Sequence, residues 1–217
     1  MKEKEVERLL NLKKEEKILY EKGIVSICGI DEAGRGPLAG DVYAAAVIFK
    51  DGVVIDGIND SKKLSEKKRE QLFDEIIEKA SAYCIATASV EEIEKYNILQ
   101  ATFMAMRRAV EGLGIKPELA LVDGNRYPEM PCEVQTLVKG DGTSASIAAA
   151  SILAKVSRDR YMNEIAEKYP QYRFEKHKGY GTKLHNELIL EYGPSPVHRM
   201  SFLKKLYEKQ GRSENDS

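Results

Sequence analysis

The chain has 217 residues, one large domain by the usual size rule, and is 42% hydrophobic, 7% aromatic and 32% charged. That mix excludes collagen-like, mucin-like and wholly disordered chains. With 34 basic and 35 acidic residues the formal net charge is -1, which excludes a strongly basic, sequence-blind nucleic-acid coat but leaves room for a local basic face.

Three separated cysteines, Cys28, Cys84 and Cys132, form no CxxC pair and suit a reducing cytosol. No run approaches the roughly 20 apolar residues of a membrane span, and the charged start MKEKEVERLLNLKKEEK lacks the apolar centre of a secretory signal. A soluble, cytoplasmic protein that touches no membrane is expected, acting as a monomer.

In chain order, residues 2–22 place Val6, Leu9, Leu10 and Leu19 at roughly helical spacing among lysines and glutamates, which predicts a peripheral N-terminal helical extension over 1–22. Two β-like runs follow, Ile24–Ile30 and Val42–Phe49, then a short apolar run, Val53–Ile55. Together they suggest an antiparallel meander of three strands. Ser65 is a candidate N-cap for a helix carrying Leu72, Phe73, Ile76 and Ile77. Tyr83–Ala88 reads as a strand, and Ser89 with Glu92 as a capping box opening a helical region that ends near Gly112–Gly114. Leu119–Val122 and Glu133–Val138 read as strands. A long helix runs from Ser144 to Lys168, capped by Thr143 or Ser144 and stopped before Pro170. A shorter helix follows Thr182, another carries Phe202, Leu203 and Leu206, and the tail 211–217 looks disordered. Strands first, then alternating helices and strands, indicate an α/β domain over 23–210 with a mixed sheet, helices packed on it and a helical C-terminal portion.

Asp31 and Glu32 stand side by side at the end of a strand, before Ala33-Gly34-Arg35-Gly36. Adjacent strand residues point to opposite faces, so both serve one site only if the strand ends or bends here; otherwise they are solvated acids at a strand-to-loop transition. Asp123 ends another apolar strand, a place where α/β sheets hold ligands, although Asp123-Gly124-Asn125 is also plain turn chemistry. Asp141 lies just before the long helix, where helix-dipole compensation is the bland account. If the four shared a site, each like pair at about 4 Å would cost on the order of 4 kcal/mol at an effective dielectric near 20. Such a cluster calls for cations, and all-oxygen donors favour Mg²⁺ or Mn²⁺ over zinc.

His177, His185 and His198 are scattered along the chain and read by default as solvated or structural. Residues 155–183 carry eight basic and four acidic side chains, interleaved with Tyr161, Tyr169, Tyr172, Phe174 and Tyr180. This is either a solvated face or a nucleic-acid surface. Lys62-Lys63 and Lys67-Lys68-Arg69 form a second basic cluster. Ala148, Ala149, Ala150 and Ala154 give the long helix a small face for close packing on the sheet, and Cys28 and Cys84 read as buried strand residues.

Taken in order, seven pieces resemble the bacterial ribonuclease HII family. They are residues 29–40 (GIDEAGRGPLAG), Asp60-Ser61-Lys62-Lys63-Leu64, Val122-Asp123-Gly124-Asn125, Lys139-Gly140-Asp141, 149–156 (AASILAKV), 177–182 (HKGYGT) and His198-Arg199-Met200-Ser201-Phe202. The resemblance implies a ribonuclease H-like fold with a central mixed five-stranded sheet. It implies endonucleolytic cleavage of RNA in RNA–DNA hybrids and of single ribonucleotides embedded in duplex DNA, the chemistry of ribonucleotide excision repair. By motif, Asp31, Glu32, Asp123 and Asp141 would be the catalytic and metal-binding set, for two Mg²⁺ or Mn²⁺ ions in the substrate complex. Gly34, Arg35 and Gly36 would grip the ribonucleotide step, Tyr180 would stack on the sugar beyond it, and Lys62 would contact phosphate. Asp41 departs from the family's usual proline, and the first 22 residues lie outside the motifs. The rival readings are a non-catalytic hybrid-binding module and another Mg²⁺-dependent nuclease or phosphatase on the same fold.

Overall fold

A computed structural model describes residues 3–215, with side chains from 7 to 208. Five strands, β1 (Ile27–Ala33), β2 (Val42–Ile48), β3 (Ala82–Ala88), β4 (Leu119–Asp123) and β5 (Glu133–Leu137), form one sheet in the order β3-β2-β1-β4-β5. β1–β2 and β2–β3 pair antiparallel, whereas β1–β4 and β4–β5 pair parallel. The mixed five-stranded sheet is therefore as expected, but the third strand of the meander is not Val53–Ile55. Both edges of β2 are already taken, by β1 and β3, so no ladder is left for that run to join. Ile55 instead plugs into the core, and Lys13 and Lys79 donate to the Val53 and Val54 carbonyls.

Helices cover both faces. On one lies α4 (Val90–Glu111), whose Ala101, Ala105, Met106 and Ala109 pack with Cys28, Ile30, Ala44 and Ala46. The Ser89–Glu92 capping box is present. The helix breaks at Asn97 (φ 68°), whose side chain accepts from the Leu99 and Gln100 N–H groups and so caps the second segment. Cys84 is only half-buried, on the edge strand β3.

On the other face lie α3 (Glu66–Lys79), capped by Ser65, and α5 (Ala145–Lys168), capped by Ser144. Ala148, Ala149 and Ala150 are fully buried, and α5 sits so close to β1 that a Cβ at Gly29 would collide with the Ser146–Ile147 backbone. Short α6 (Phe174–His177), α7 (Lys183–Tyr192) capped by Thr182, and α8 (Met200–Asn215) close the C-terminal portion around Ala39, Met162, Tyr172 and Phe174.

The N-terminal stretch differs from its expected form. It is two helices, α1 (Glu3–Leu12) and α2 (Lys14–Glu21), and it is not peripheral. Leu9 and Leu12 join the core with Phe49, Ile55 and Ile58, while Leu19 packs with Ile27, Leu121 and Ile147. A narrow stripe of leucines suffices here because the sheet's open end supplies the apolar partner. Leu10 stays exposed, and the side chain of Val6 lies outside the described residues. At the other terminus α8 continues to Asn215, over most of the stretch expected to be disordered; its Lys, Glu, Gln and Arg residues are good helix formers. Asp216 and Ser217 lie outside the described residues.

Candidate active site

The sheet register carries the site. Ile30 pairs with Val122 across the parallel β1–β4 ladder, so Asp31 and Asp123, each one residue further, end neighbouring strands side by side. Alternation puts both on the α5 face. Asp31 lies 4% exposed against α5, where Ser151 hydrogen-bonds its carboxylate, and its Oδ1 accepts from the Glu32 N–H at 2.7 Å. Ser151 in turn is bonded to Ser61 at 2.9 Å, which ties the Asp60-Ser61-Lys62 turn to the same spot. Asp123 Oδ1 accepts from the Gly140 N–H at 2.7 Å, and this bond draws the 3₁₀ turn Gly140–Gly142, with buried Asp141, against β4.

Glu32 follows the strand's alternation to the α4 side, at the mouth of a recess of about 270 Å³ lined by Arg35, Thr102, Met106, Asp123 and Asn125. It makes an ion pair with Arg35 at 3.2 Å. The strand neither ends nor bends at the two acids, since β1 stays regularly paired to Ala33, so they point to opposite faces and interact through their charges near the strand's end.

Electrostatics shows that these acids feel one another. Burial, then the charges of Glu32 and Asp123, push the Asp31 carboxyl well above the usual range, against the opposing bonds from Ser151 and the Glu32 N–H. Burial raises Glu32 as well, although Arg35 holds it down in part. Asp141 is pushed up to about 6 by burial and by Asp60 and Asp123, with Lys62 opposing. Burial lowers the Lys62 ammonium, but Asp31, Asp141, Asp60 and Asp123 outweigh it and the net shift is upward. Asp31, Glu32, Asp123, Asp141 and Lys62 are thus one electrostatic unit. Its donors are all oxygen, the set that suits hard divalent cations. Among the described residues no three His, Cys, Asp or Glu are already drawn into a ready-made cation cage. Two of the four acids are turned aside, Glu32 to Arg35 and Asp123 to Gly140.

Asp60 is a fifth acid with no role assigned from sequence. It caps the 3₁₀ turn Ser61–Lys63 through the Lys62 N–H at 2.9 Å and faces Asp141. The signal was the Asp60-Ser61 pair itself, since Asp before a tight turn is a capping residue.

Beside the acids lies the Gly34–Gly40 loop. Arg35 and Gly36 are exposed at its tip, and the ring of Tyr180, 42% exposed, stands over Gly36, about 4.0 Å from where a Cβ would project. Lys155 and Arg158 lie 5.9 Å from the centre of that ring. The structure therefore brings Gly34, Arg35, Gly36 and Tyr180 together, and the Arg35–Glu32 ion pair joins this loop to the acids.

Two arginines missed from sequence hold the loop. Arg199, fully buried, donates to the carbonyls of Gly34 (2.7 Å), Arg35 (3.1 Å), Pro37 (2.9 Å) and Gly40 (2.6 and 2.9 Å). Arg158 donates to Ala39, Asp41 and Lys178 carbonyls at 2.9–3.1 Å, and at Gly34 (φ +97°) a Cβ would strike its side chain. Burial pulls both guanidiniums down, Arg199 to about 9 with the Arg158 charge adding to the effect.

Asp41 is their nearby counter-charge. Burial raises its carboxyl, while the Val90 N–H at 3.0 Å and the charges of Arg199 and Arg158 hold it down in part. The Asp41 carboxylate therefore also caps the first turn of α4.

Residues 28–205 match the family model described as Ribonuclease HII. Similar proteins include a ribonuclease HII from Caldicellulosiruptor bescii, 56% identical over 192 residues, which covers 88% of this chain and 93% of the relative. Another, from Albidiferax ferrireducens, is 60% identical over 176 residues, 81% of this chain and 85% of that one. The crystal structure of ribonuclease H2 from Pyrococcus horikoshii OT3 superimposes with a TM-score of 0.70 at 27% identity, over 85% of this chain and 98% of that one. With a match that spans the sheet, both loops and α5, the chain belongs to the ribonuclease HII family and is a hydrolase, a metal-dependent endoribonuclease acting on RNA–DNA hybrids.

Proposed function

We propose that the protein hydrolyses the RNA strand of RNA–DNA hybrids and also cuts on the 5′ side of single ribonucleotides embedded in duplex DNA, leaving 3′-hydroxyl and 5′-phosphate ends. The observation that carries this reading is the adjacency of two unlike surfaces: buried Asp31 and half-buried Asp123 at the ends of β1 and β4, and an exposed Arg35-Gly36 tip with an aromatic ring over it.

Asp31, Glu32, Asp123 and Asp141 would hold the divalent cations, Mg²⁺ or Mn²⁺ and two in the substrate complex, which supply an activated water and stabilise the leaving oxygen. The chain's own residues do the rest. Lys62, beside the acids, meets the phosphate charge that the substrate brings. Exposed Gly36 lets backbone groups approach the 2′-hydroxyl, which DNA lacks. Arg35 exchanges Glu32 for a phosphate oxygen through its forked donors. Tyr180 stacks on the sugar beyond the ribonucleotide. The protein works as a monomer in the cytoplasm, with residues 23–210 as the catalytic domain.

The test is a gel assay on duplex DNA carrying one ribonucleotide, beside an all-DNA duplex, with Mg²⁺, with Mn²⁺ and with chelator. Metal-dependent cutting 5′ of the ribonucleotide and an intact all-DNA duplex are expected. Equal cutting of the two duplexes, or binding without cutting in either metal, would overturn the reading.

A further inference from the structure

The three histidines, far apart in sequence, meet in the fold. His177, His185 and His198 are 7%, 0% and 2% exposed, the rings of His177 and His185 stack at 4.2 Å, and Tyr172 and Phe174 enclose them. None touches the acids, so the proposed mechanism leaves them unused.

Their hydrogen bonds can be read in only one direction. The Ser195 N–H donates to His198 Nδ1 at 2.9 Å, so that nitrogen carries no proton. In the neutral ring the proton is then on His198 Nε2, which faces His185 Nε2 at 3.1 Å. His185 Nε2 must accept, which puts the His185 proton on Nδ1, 3.0 Å from the carbonyl oxygen of Tyr180. His177 obeys the same logic: its Nδ1 accepts from the Gly179 N–H at 3.3 Å, and its Nε2–H donates to the Tyr172 carbonyl at 2.9 Å. The Tyr180 N–H donates to the His177 carbonyl at 2.8 Å. His177 and His185 thus reach the backbone of residues 179–180, while Ser195 and Tyr172 hold the far ends of His198 and His177, and the Tyr180 ring stays at the surface.

We propose that His198, His185 and His177 are positioning residues for Tyr180: the directed pair of neutral imidazoles His198–His185, with His177 stacked on it, anchors the backbone of the 177–181 loop and aims the Tyr180 ring over Gly36 toward the substrate. The inference rests on the reading of Tyr180 as the stacking residue. Protonating any one ring sets two donors against each other, His185 Nε2–H against His198 Nε2–H, His198 Nδ1–H against the Ser195 N–H, or His177 Nδ1–H against the Gly179 N–H, so the arrangement exists in one protonation state. Neutral histidine suits the role because each ring both accepts and donates in a fixed plane.

Two measurements test this. The first needs no variant: ¹⁵N-histidine NMR of the whole protein at pH 7 is expected to show three neutral rings, protonated on Nδ1 in His185 and on Nε2 in His198 and His177. A His185 protonated on Nε2, or a charged ring, would overturn the chain.

The second is a double-mutant cycle on the single-ribonucleotide duplex. His198→Phe keeps the ring packing and removes the donor to His185; Tyr180→Ala removes the stacking ring. Each single variant is expected to lose roughly 5- to 150-fold in kcat/KM, and the double variant is expected to match Tyr180→Ala within about twofold. A wild-type rate in His198→Phe beside a loss in Tyr180→Ala, or multiplying losses in the double variant, would overturn the positioning role and leave the stacking reading intact. A wild-type rate in Tyr180→Ala would overturn the stacking reading, and the positioning role with it. If His198→Phe does not fold, the tautomers decide.

Discussion

The two halves of the site are built on opposite principles. The acid half gathers like charges: Asp31, Glu32 and Asp141 all have raised pKa values, and their mutual repulsion is answered within the chain only by Lys62, Arg35 and a few hydrogen bonds. The loop half is saturated: the Gly34, Arg35, Pro37, Ala39, Gly40, Asp41, Lys178 and Tyr180 carbonyls each accept from Arg158, Arg199 or His185. One half conserves an electrostatic deficit that a cationic ligand can fill. The other removes freedom from a glycine-rich segment that would otherwise wander. The groups proposed for catalysis sit where interactions are incomplete, and those proposed to read shape sit where they are complete.

The largest effect should come from breaking the acid half. Asp31→Asn and Asp123→Asn should each lower cleavage of the single-ribonucleotide duplex on the order of 10³-fold or more, while hybrid binding persists. Asp31→Asn should also raise thermal stability, because it deletes a buried charge that faces two other carboxylates. A turnover near wild type, or a fall in melting temperature, would contradict the picture of a stressed catalytic cluster.

The matching change in the loop half is Arg199→Lys. A lysine offers one point charge with three donors in place of a planar fork that meets four carbonyls, and should cost about 2–4 kcal/mol in urea unfolding. The loop's contribution to substrate binding should fall with it. An unchanged midpoint would mean that the loop holds its shape without the guanidinium.

Glu16 gives a smaller effect and sharpens the comparison from the acid side. This buried carboxylate of α2 accepts from Ser144 Oγ (2.6 Å), Ser146 Oγ (2.8 Å) and the Ser146 N–H (3.0 Å) at the first turn of α5. The Ser144 N–H donates to the Gly140 carbonyl at 2.7 Å, and the Gly140 N–H reaches Asp123. Glu16→Ala should therefore cost about 1–3 kcal/mol, whereas Glu16→Gln, which keeps an acceptor, should lose less. Equal midpoints for the two variants would remove the hydrogen-bond account of how the N-terminal helices brace the acids.

Acid titration should move the halves in opposite directions. Burial foremost holds His185 and His198 at about 3 and about 4, below their ordinary 6.5. The unfolded chain therefore takes up their protons first, and the stability they lend is present above pH 6.5 and lost as pH falls toward 4, at most about 1.4 kcal/mol per pH unit for each. Asp31, Glu32 and Asp141 are raised, so the folded chain takes up their protons first, and acidification through about 6 relieves the acid half. Removing one of the acids should make the acid-side loss of stability steeper than in the wild type. The check is urea unfolding of the wild type and Asp31→Asn between pH 7 and 4.5, and a shallower profile in the variant would reverse the assigned signs.

Local chemistry made much of this legible in advance. Ser65, Ser89 with Glu92, Ser144 and Thr182 cap the helices that follow them, because a cap bonds within three residues of itself. Carboxylates ending apolar strands stood out at Asp31 and Asp123 because a buried strand seldom carries an unpaired charge. The alanine run in α5 announced close packing. Long-range pairing was not legible. The second antiparallel partner of β2, β3, lies beyond α3, and Val53–Ile55 has the composition of a strand but no free edge to join. The same limit hid the burial of the leucine stripe of α1 and α2, which depends on Phe49, Ile55 and Ile58 under Leu9 and Leu12 and on β1, β4 and α5 under Leu19.

The sequence by itself determined which residue types could do the chemistry and where the helices begin, since both follow from groups within a few positions of one another. Only the tertiary structure decided that Asp60 faces Asp141, that Arg199 wraps a loop some 160 residues earlier, and that three lone histidines meet in one cluster with a directed His198–His185 bond. Those arrangements arise from contacts between distant segments, and burial gives them their force: away from water a single hydrogen bond or like charge shifts an equilibrium that solvent would otherwise level.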